Sequence, residues 1–325
     1  MKRRLFLGAL AAMPLLAACG GESSKPAAGA NGSTGVGGAG LLTVGMIPVA
    51  HFAPIYIAQD QGFFKAEGLE VKTQIIQNAA SIVPSVINGQ LSFGTSAGTP
   101  FINGVAKKLP ILAIAPAGAN PATPAEDTIG VLVKQDGPKS LAELAGQTLA
   151  VNAQGSQPHI ALSKILKEAG VDVGSVQIVA MPMADALAAL NQGRVGAVAV
   201  AEPFVTMGIS QGARLLSPLY SLAFKNTGAE SVYFASKQFI ESNRAEVDAF
   251  SRALIKANQL ANQDRAVLVD VLVNKLDMDS TLAEKMVVPT FATDLKPETL
   301  MEISDVMVET GFLTESIPAE NLVLS

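Results

Sequence analysis

The sequence predicts an α/β protein of two lobes joined by two chain crossings. Three observations carry this expectation. Short apolar runs of strand length alternate with helical patterns along residues 41–236. Those runs are apolar throughout, as strands covered on both faces of a mostly parallel sheet are. Two turn-rich stretches, 117–127 and 217–230, split the alternation into blocks, and a strand-like segment returns at 231–236. The expected first lobe is 41–125 with 226–325, the second is 126–225, and a cleft lies between mixed, mostly parallel sheets.

In the first block, strands are expected over 41–46, 69–76, 91–96 and 111–116, and helices over 54–66, 79–89 and 98–108. Gly68 and Gly89 follow helical stretches, and Pro100 sits near a helix start, the usual punctuation. The second block reads as strands 129–134, 148–153, 176–181 and 195–201, with helices 140–146, 157–169, 183–192 and 203–211. Residues 217–230 read as a crossing. From Lys237 the pattern is mainly helical, over 238–261, 263–276, 280–288 and 297–311.

The amino terminus reads as an export signal. Lys2, Arg3 and Arg4 precede an apolar run, Leu5 to Ala18, too short to span a bilayer comfortably. It ends in Leu16-Ala17-Ala18-Cys19, which resembles a bacterial lipoprotein signal and implies cleavage before Cys19 and lipidation of its thiol. Arg3-Arg4-Leu5-Phe6-Leu7 also resembles a twin-arginine motif, with Lys2 where Ser or Thr is usual. Residues 20–40 are Gly/Ala/Ser-rich and aperiodic, a tether with a reach of roughly 25 Å. The expected location is extracytoplasmic and lipid-anchored, with residues 1–19 removed as signal.

Composition excludes several classes. Cys19 is the only cysteine, so the body has no disulfide and no thiol nucleophile. The net charge is −5, and about −8 without Lys2, Arg3 and Arg4, with no basic stripe for nucleic acid. Trp is absent, so no large aromatic platform for sugars is expected. Two His give little material for a metal cluster or a Ser-His-Asp triad. Met181 and Met183 read as core or cleft lining, because no Met-rich run supports copper. The reading is non-enzymatic, with no metal and no cofactor.

Four segments carry a family resemblance: "FAPIYIAQDQGFFKAEGLEV", "INGQLSFGTSAGTPFI", "LAELAGQTLAVNAQGSQPHIALSKILKEAGV" and "MPMADALAALNQGRVGAVAVAEPFV". Together they resemble the substrate-binding proteins of ABC importers in the family for nitrate, sulfonates, taurine and thiamine pyrimidine precursors. The resemblance covers about 43–215. It implies the periplasmic-binding-protein-like fold of type II, a small-molecule solute, an ABC permease partner and a monomer. Relatives of that fold include biosynthetic enzymes, and the Cys-rich motif of the pyrimidine synthases is missing here. A sulfonate or taurine-like anion is the first expectation; nitrate or a thiamine pyrimidine precursor is the alternative.

The candidate site residues lie in turns. In "NAQGSQPH", Gly155 permits close backbone approach, and Ser156 and Gln157 offer neutral donors at a helix start, where the dipole favours an anion. A helix cap is the competing role for Ser156. Thr95, Ser96 and Gly98 form the matching turn in the first lobe, with capping by Ser96 or Thr99 as the alternative. In "MIPVAHFAP", Phe52 is read as covering an apolar part of a ligand, and His51 as donating to an anion or as a capping or exposed residue. Asn78 is read as a helix cap or a ligand contact, and His159 as a cap, an exposed residue or a ligand contact. Glu202 either faces the cleft to meet a ligand amine or supports the helix that begins at Pro203.

Overall fold

The computed structural model describes residues 40–76 and 79–324. Cys19, the signal and nearly all of the tether lie outside the described residues, as does Asn78. The strands are β1 (Leu42–Met46), β2 (Val71–Ile75), β3 (Phe93–Ala97), β4 (Ile111–Pro116), β5 (Ile129–Lys134), β6 (Thr148–Val151), β7 (Gln177–Ala180), β8 (Ala197–Ala201), β9 (Ala213–Pro218) and β10 (Ser231–Ser236). They form two five-stranded sheets, ordered β2-β1-β3-β10-β4 and β7-β6-β8-β5-β9.

Each sheet has two parallel and two antiparallel pairings, because four of its five strands run one way and one runs against them, the mixed, mostly parallel arrangement expected. The antiparallel strand is β10 in one sheet and β5 in the other. Both directly follow a crossing. A chain that leaves one sheet at its carboxyl edge enters the next sheet at the facing edge. It must then run against the strands that end there.

The helices are α1 (Pro54–Asp60), α2 (Phe63–Ala66), α3 (Ile82–Ile87), α4 (Gly98–Ala106), α5 (Gln157–Glu168), α6 (Met183–Asn191), α7 (Phe204–Ser210), α8 (Tyr220–Ala223), α9 (Lys237–Ser242), α10 (Arg244–Gln263), α11 (Arg265–Asn274), α12 (Ser280–Lys285) and α13 (Pro297–Glu309). Three expectations are corrected. The helix expected over 54–66 breaks into α1 and α2 at Gly62, whose φ of 71° ends the first. The segment 140–146 forms only a 3₁₀ turn at Leu141–Leu144. Strand β9 falls between the helix expected over 203–211 and the crossing expected from 217, where no strand is expected. It lies at the edge of its sheet with Leu215 and part of Arg214 exposed, so its pattern lacks the continuous apolar run of a central strand.

Packing explains the tail. Helix α10 buries Val247, Phe250, Ala253, Leu254, Ala257 and Ala261, a single stripe at helical spacing. Phe250 stacks on Phe93 of β3 with ring centroids 4.2 Å apart. Helix α13 lies between α4 and α5, and its Leu300, Ile303 and Met307 join a core continuous with both lobes. Each such fully buried apolar side chain stabilises by about 2 kcal/mol. Among the described residues, no helix is long and apolar enough to cross a membrane.

The two crossings hydrogen-bond to each other. Glu230 N–H donates to Gly118 O at 2.9 Å, and Asn120 N–H donates to Gly228 O at 3.0 Å. Asp127 accepts from the N–H groups of Ile129, Leu219 and Ser221 and from the Ser221 hydroxyl, at 2.8 to 3.1 Å. One carboxylate therefore ties the entry to β5 to the exit from β9.

Candidate functional site between the lobes

The ends of β1, β3 and β6 lead into the β1–α1 loop and the starts of α4 and α5. Side chains from these places meet beside the crossings. Gln157, at the start of α5, is 2 % exposed and joins the lobes. Its Oε1 accepts from the Thr99 N–H and the Thr99 hydroxyl of α4, both at 3.2 Å. Its Nε2 donates to Glu230 Oε2 at 2.8 Å. His51 Nε2 lies 3.9 Å from Glu230 Oε1 and 3.4 Å from the Thr128 hydroxyl.

Small residues make this approach possible. A Cβ on Gly98 would lie 3.0 Å from Glu230 O and 3.2 Å from Gln157 Oε1. A Cβ on Gly118 would lie 2.5 Å from the His51 ring and 2.9 Å from Glu230 Oε1. His51, Gly98 and Gln157 are thus brought together, with Thr99, Gly118 and Glu230.

The other expected residues have local duties. Ser156 is the N-cap of α5: its hydroxyl oxygen accepts from His159 N–H at 3.4 Å, and the hydroxyl donates to Asn152 Oδ1 at 2.8 Å. Gly155 has a φ of 68°, which suits glycine, and its N–H donates to His159 Nδ1 at 3.0 Å. The Thr95 hydroxyl donates to Gly45 O at 3.4 Å inside the sheet, and the Ser96 hydroxyl donates to Ala97 O at 2.9 Å.

Phe52 is corrected outright. It is 2 % exposed and packs edge-on against Tyr233, so its ring belongs to the core and not to the surface of the turn. Tyr233 also donates its hydroxyl to Phe52 O at 3.3 Å. His159 takes the capping role among its expected readings, its Nδ1 accepting from the Gly155 N–H. It is buried, with its ring edge-on to Phe312 at 4.9 Å, and is not solvent-facing.

Glu202 takes the second of its two expected roles. Its carboxylate accepts from Thr206 N–H at 3.0 Å, the Thr206 hydroxyl at 2.8 Å and Val287 N–H at 3.2 Å. It braces the first turn of α7 against the segment after α12. The adjoining cavity of about 390 Å³, lined by Asp127, Glu202, Val205, Leu215 and Val287, shares no residue with the Gln157 cluster.

Burial sets the electrostatics. Glu230 is 3 % exposed, and desolvation pushes its carboxyl above the usual range. The nearby His51, and hydrogen bonds from the Ser231 hydroxyl and the Gln157 amide, draw it partly back. The Ser231 hydroxyl is buried beside the carboxylate. Burial likewise raises Glu202 and Asp127 and lowers His159. Among the described residues, no three His, Cys, Asp or Glu side chains gather as a metal site.

Sequence reasoning overlooked Glu230, Thr128 and the role of Thr99. One signal was available. Glu230 directly precedes β10, whose six residues are all buried. A carboxylate at the mouth of a fully buried strand has no route to bulk solvent along that strand.

Comparison with known proteins agrees with this geometry. The family model described as "NMT1/THI5 like" matches residues 49–266. A provisionally named aliphatic sulfonates-binding protein of Escherichia coli (strain K12) is 28% identical over 182 residues, 55% of each chain. The taurine-binding periplasmic protein of the same strain is 26% identical over 217 residues, 65% of this chain and 64% of its own. The riboflavin-binding protein RibY of Chloroflexus aurantiacus is 25% identical over 238 residues, 69% of this chain and 63% of its own. The alignments thus span between about half and just under two thirds of these relatives' lengths. The crystal structure of the periplasmic aliphatic sulphonate binding protein SsuA from Escherichia coli superposes with a TM-score of 0.73 at 19% identity. It covers 88% of this chain and 92% of its own. With the family model spanning more than half of its residues, the chain belongs to the NMT1/THI5-like family and has the two-lobed fold of periplasmic binding proteins.

Proposed function

We propose that the protein is the solute-binding component of an ABC importer, capturing a small organic anion of the sulfonate or taurine type between its lobes. The observation that carries this is the meeting of the first turns of α4 and α5 at one point. There the Gln157 amide oxygen already sits on the Thr99 N–H and hydroxyl. Helix starts with uncharged donors favour an anion and release it intact. The names of the relatives support the same solute class. In this reading the lobes are 41–125 with 226–325, and 126–225, and they close on the solute by rotation at the crossings.

No chemistry is done on the solute, and a permease receives it. Cys19 carries a lipid that holds the body at the membrane, so Cys19→Ser moves the protein out of the membrane fraction.

The test is a thermal-shift panel of taurine, ethanesulfonate, nitrate and aminopyrimidines on wild type and Ser156→Asp. Asp keeps the α5 cap but places a negative charge at the cleft. A sulfonate shift in wild type that weakens at least tenfold in the variant supports the reading. An unchanged affinity removes the α5 turn from the site. Mass spectrometry of the incubated solutes completes the test: a changed product would make the protein an enzyme.

A further inference from the structure

The proposed reading leaves one group unexplained, the carboxylate of Glu230. It is 3 % exposed at the floor between the lobes. A carboxylate there is costly unless it is paired and fully hydrogen-bonded. Its side-chain partner within hydrogen-bond distance is a neutral amide, Gln157 Nε2 at 2.8 Å. His51 stands off at 3.9 Å. The neighbouring Ser231 hydroxyl, 2 % exposed, is a second neutral donor beside it. Among the described residues the buried carboxylate thus has neutral donors against it and no cation within hydrogen-bond distance.

Gln157 shows what fits. Its amide comes from the second lobe and touches two poles on the first lobe. The oxygen takes the donors of Thr99 at the start of α4, and the nitrogen supplies a donor to Glu230. Opening the lobes withdraws the amide and leaves both poles facing the cleft. A bare anion seated on Thr99 would then lie beside the Glu230 carboxylate and be repelled. An anion that carries an ammonium a few bonds away would satisfy both poles at once. Glu202 cannot serve, because its oxygens are held by Thr206 and Val287.

We infer that Glu230 is the specificity-determining residue for a protonated amine, and that the solute is a zwitterion whose ammonium meets Glu230 while its oxyanion meets Thr99. This rests on the proposed function, and the test separates the two. Titration calorimetry is run on the full chain with taurine against ethanesulfonate and β-alanine against propionate, each pair differing by the amine alone.

Wild type should bind the amine-bearing member at least tenfold more tightly, and Glu230→Gln should bring the two members within about threefold. Preference confined to the β-alanine pair supports Glu230 as the amine pole and removes sulfonate as the solute. Equal or tighter binding of the amine-free members overturns the inference and leaves solute binding intact. If Glu230→Gln weakens both members equally, the residue is only an interlobe latch and the inference falls. If no member binds, the small-anion reading and this inference fall together. Should Glu230→Gln not fold, the wild-type ratio alone decides.

Discussion

Replacing Asp127 tests whether one buried carboxylate holds the two crossings in register. In Asp127→Ala four accepting contacts vanish. They are not equal. Leu219 N–H also donates to Ile129 O at 3.1 Å, so it keeps a partner. Ser221 is only half-buried, so water reaches its donors. The Ile129 N–H is buried and loses its Asp127 acceptor, at about 1–3 kcal/mol for a stranded donor. With the lost contacts to Ser221 the total comes to about 3 kcal/mol. At about 2 °C per kcal/mol for a chain of this size, the Tm should fall by about 6 °C.

Asp127→Asn is milder. Its oxygen can keep the Leu219 and Ser221 donors, so only the Ile129 contact is lost. The raised pKa of Asp127 shows that desolvation outweighs the hydrogen bonds for the charged form. Removing the charge therefore recovers part of the loss, leaving about 1 kcal/mol and about 2 °C. The pH sign follows from the same shift. A carboxyl whose folded pKa is raised contributes stability that is full below the unfolded value and is lost as pH rises through the folded one. The wild-type advantage over Asp127→Asn should thus grow as the solution is acidified. Urea unfolding at pH 7 and pH 4 measures all of this. An Asp127→Ala protein within 0.5 kcal/mol of wild type, a flag of about one weak hydrogen bond, would refute the brace. So would Asn costing more than Ala.

Gly118→Ala places a Cβ 2.5 Å from the His51 ring and 2.9 Å from Glu230 Oε1. It should cost about 1–3 kcal/mol by overpacking and abolish any taurine-induced thermal shift, both read by differential scanning fluorimetry. Burial lowers the pKa of His159, so the folded state resists the proton that the unfolded chain takes near 6.5. Wild type should then lose stability as pH falls below 6.5, and His159→Gln should show a shallower loss between pH 7 and pH 5 in parallel melts. Identical slopes would mean that the imidazole is not held neutral.

Much of the fold was legible because central strands covered by helices are apolar on both faces. β5 and β10 are runs of this kind, and each follows a turn-rich stretch, which is enough to place a crossing. β9 was hidden because an edge strand needs only one covered face. The site was legible to the level of turns. The β1–α1 loop and the starts of α4 and α5 were the right places, since strand ends and helix starts define the cleft in such a topology. The division of labour within those turns was not. Ser156 and Gln157 are adjacent donors in sequence, yet one caps its own helix and the other crosses to the opposite lobe. Phe52 reads like any loop aromatic until Tyr233, 181 residues away, is placed against it. Glu230 and Glu202 each stand at a strand–loop boundary. Only the packing shows which oxygens are already taken.

Under the proposed reading, the contacts that close the lobes and the contacts that hold the solute overlap at Thr99 and Glu230. Gln157 occupies both when the lobes meet. A solute can favour closure only by what it gains in the closed form beyond what it gains in the open one. Here it must also replace the hydrogen bonds that Gln157 makes unaided. A neutral amide meeting the buried Glu230 carboxylate is a weaker partner than an ammonium, because a charge-assisted hydrogen bond is roughly twice as strong as a neutral one. The latch is therefore strong enough to keep Glu230 from being stranded in an empty cleft. It is also weak enough to yield to a solute carrying the charge that Gln157 lacks. A bare anion would displace the amide oxygen without supplying what Glu230 needs, and it would gain less on closure than the amide it removed.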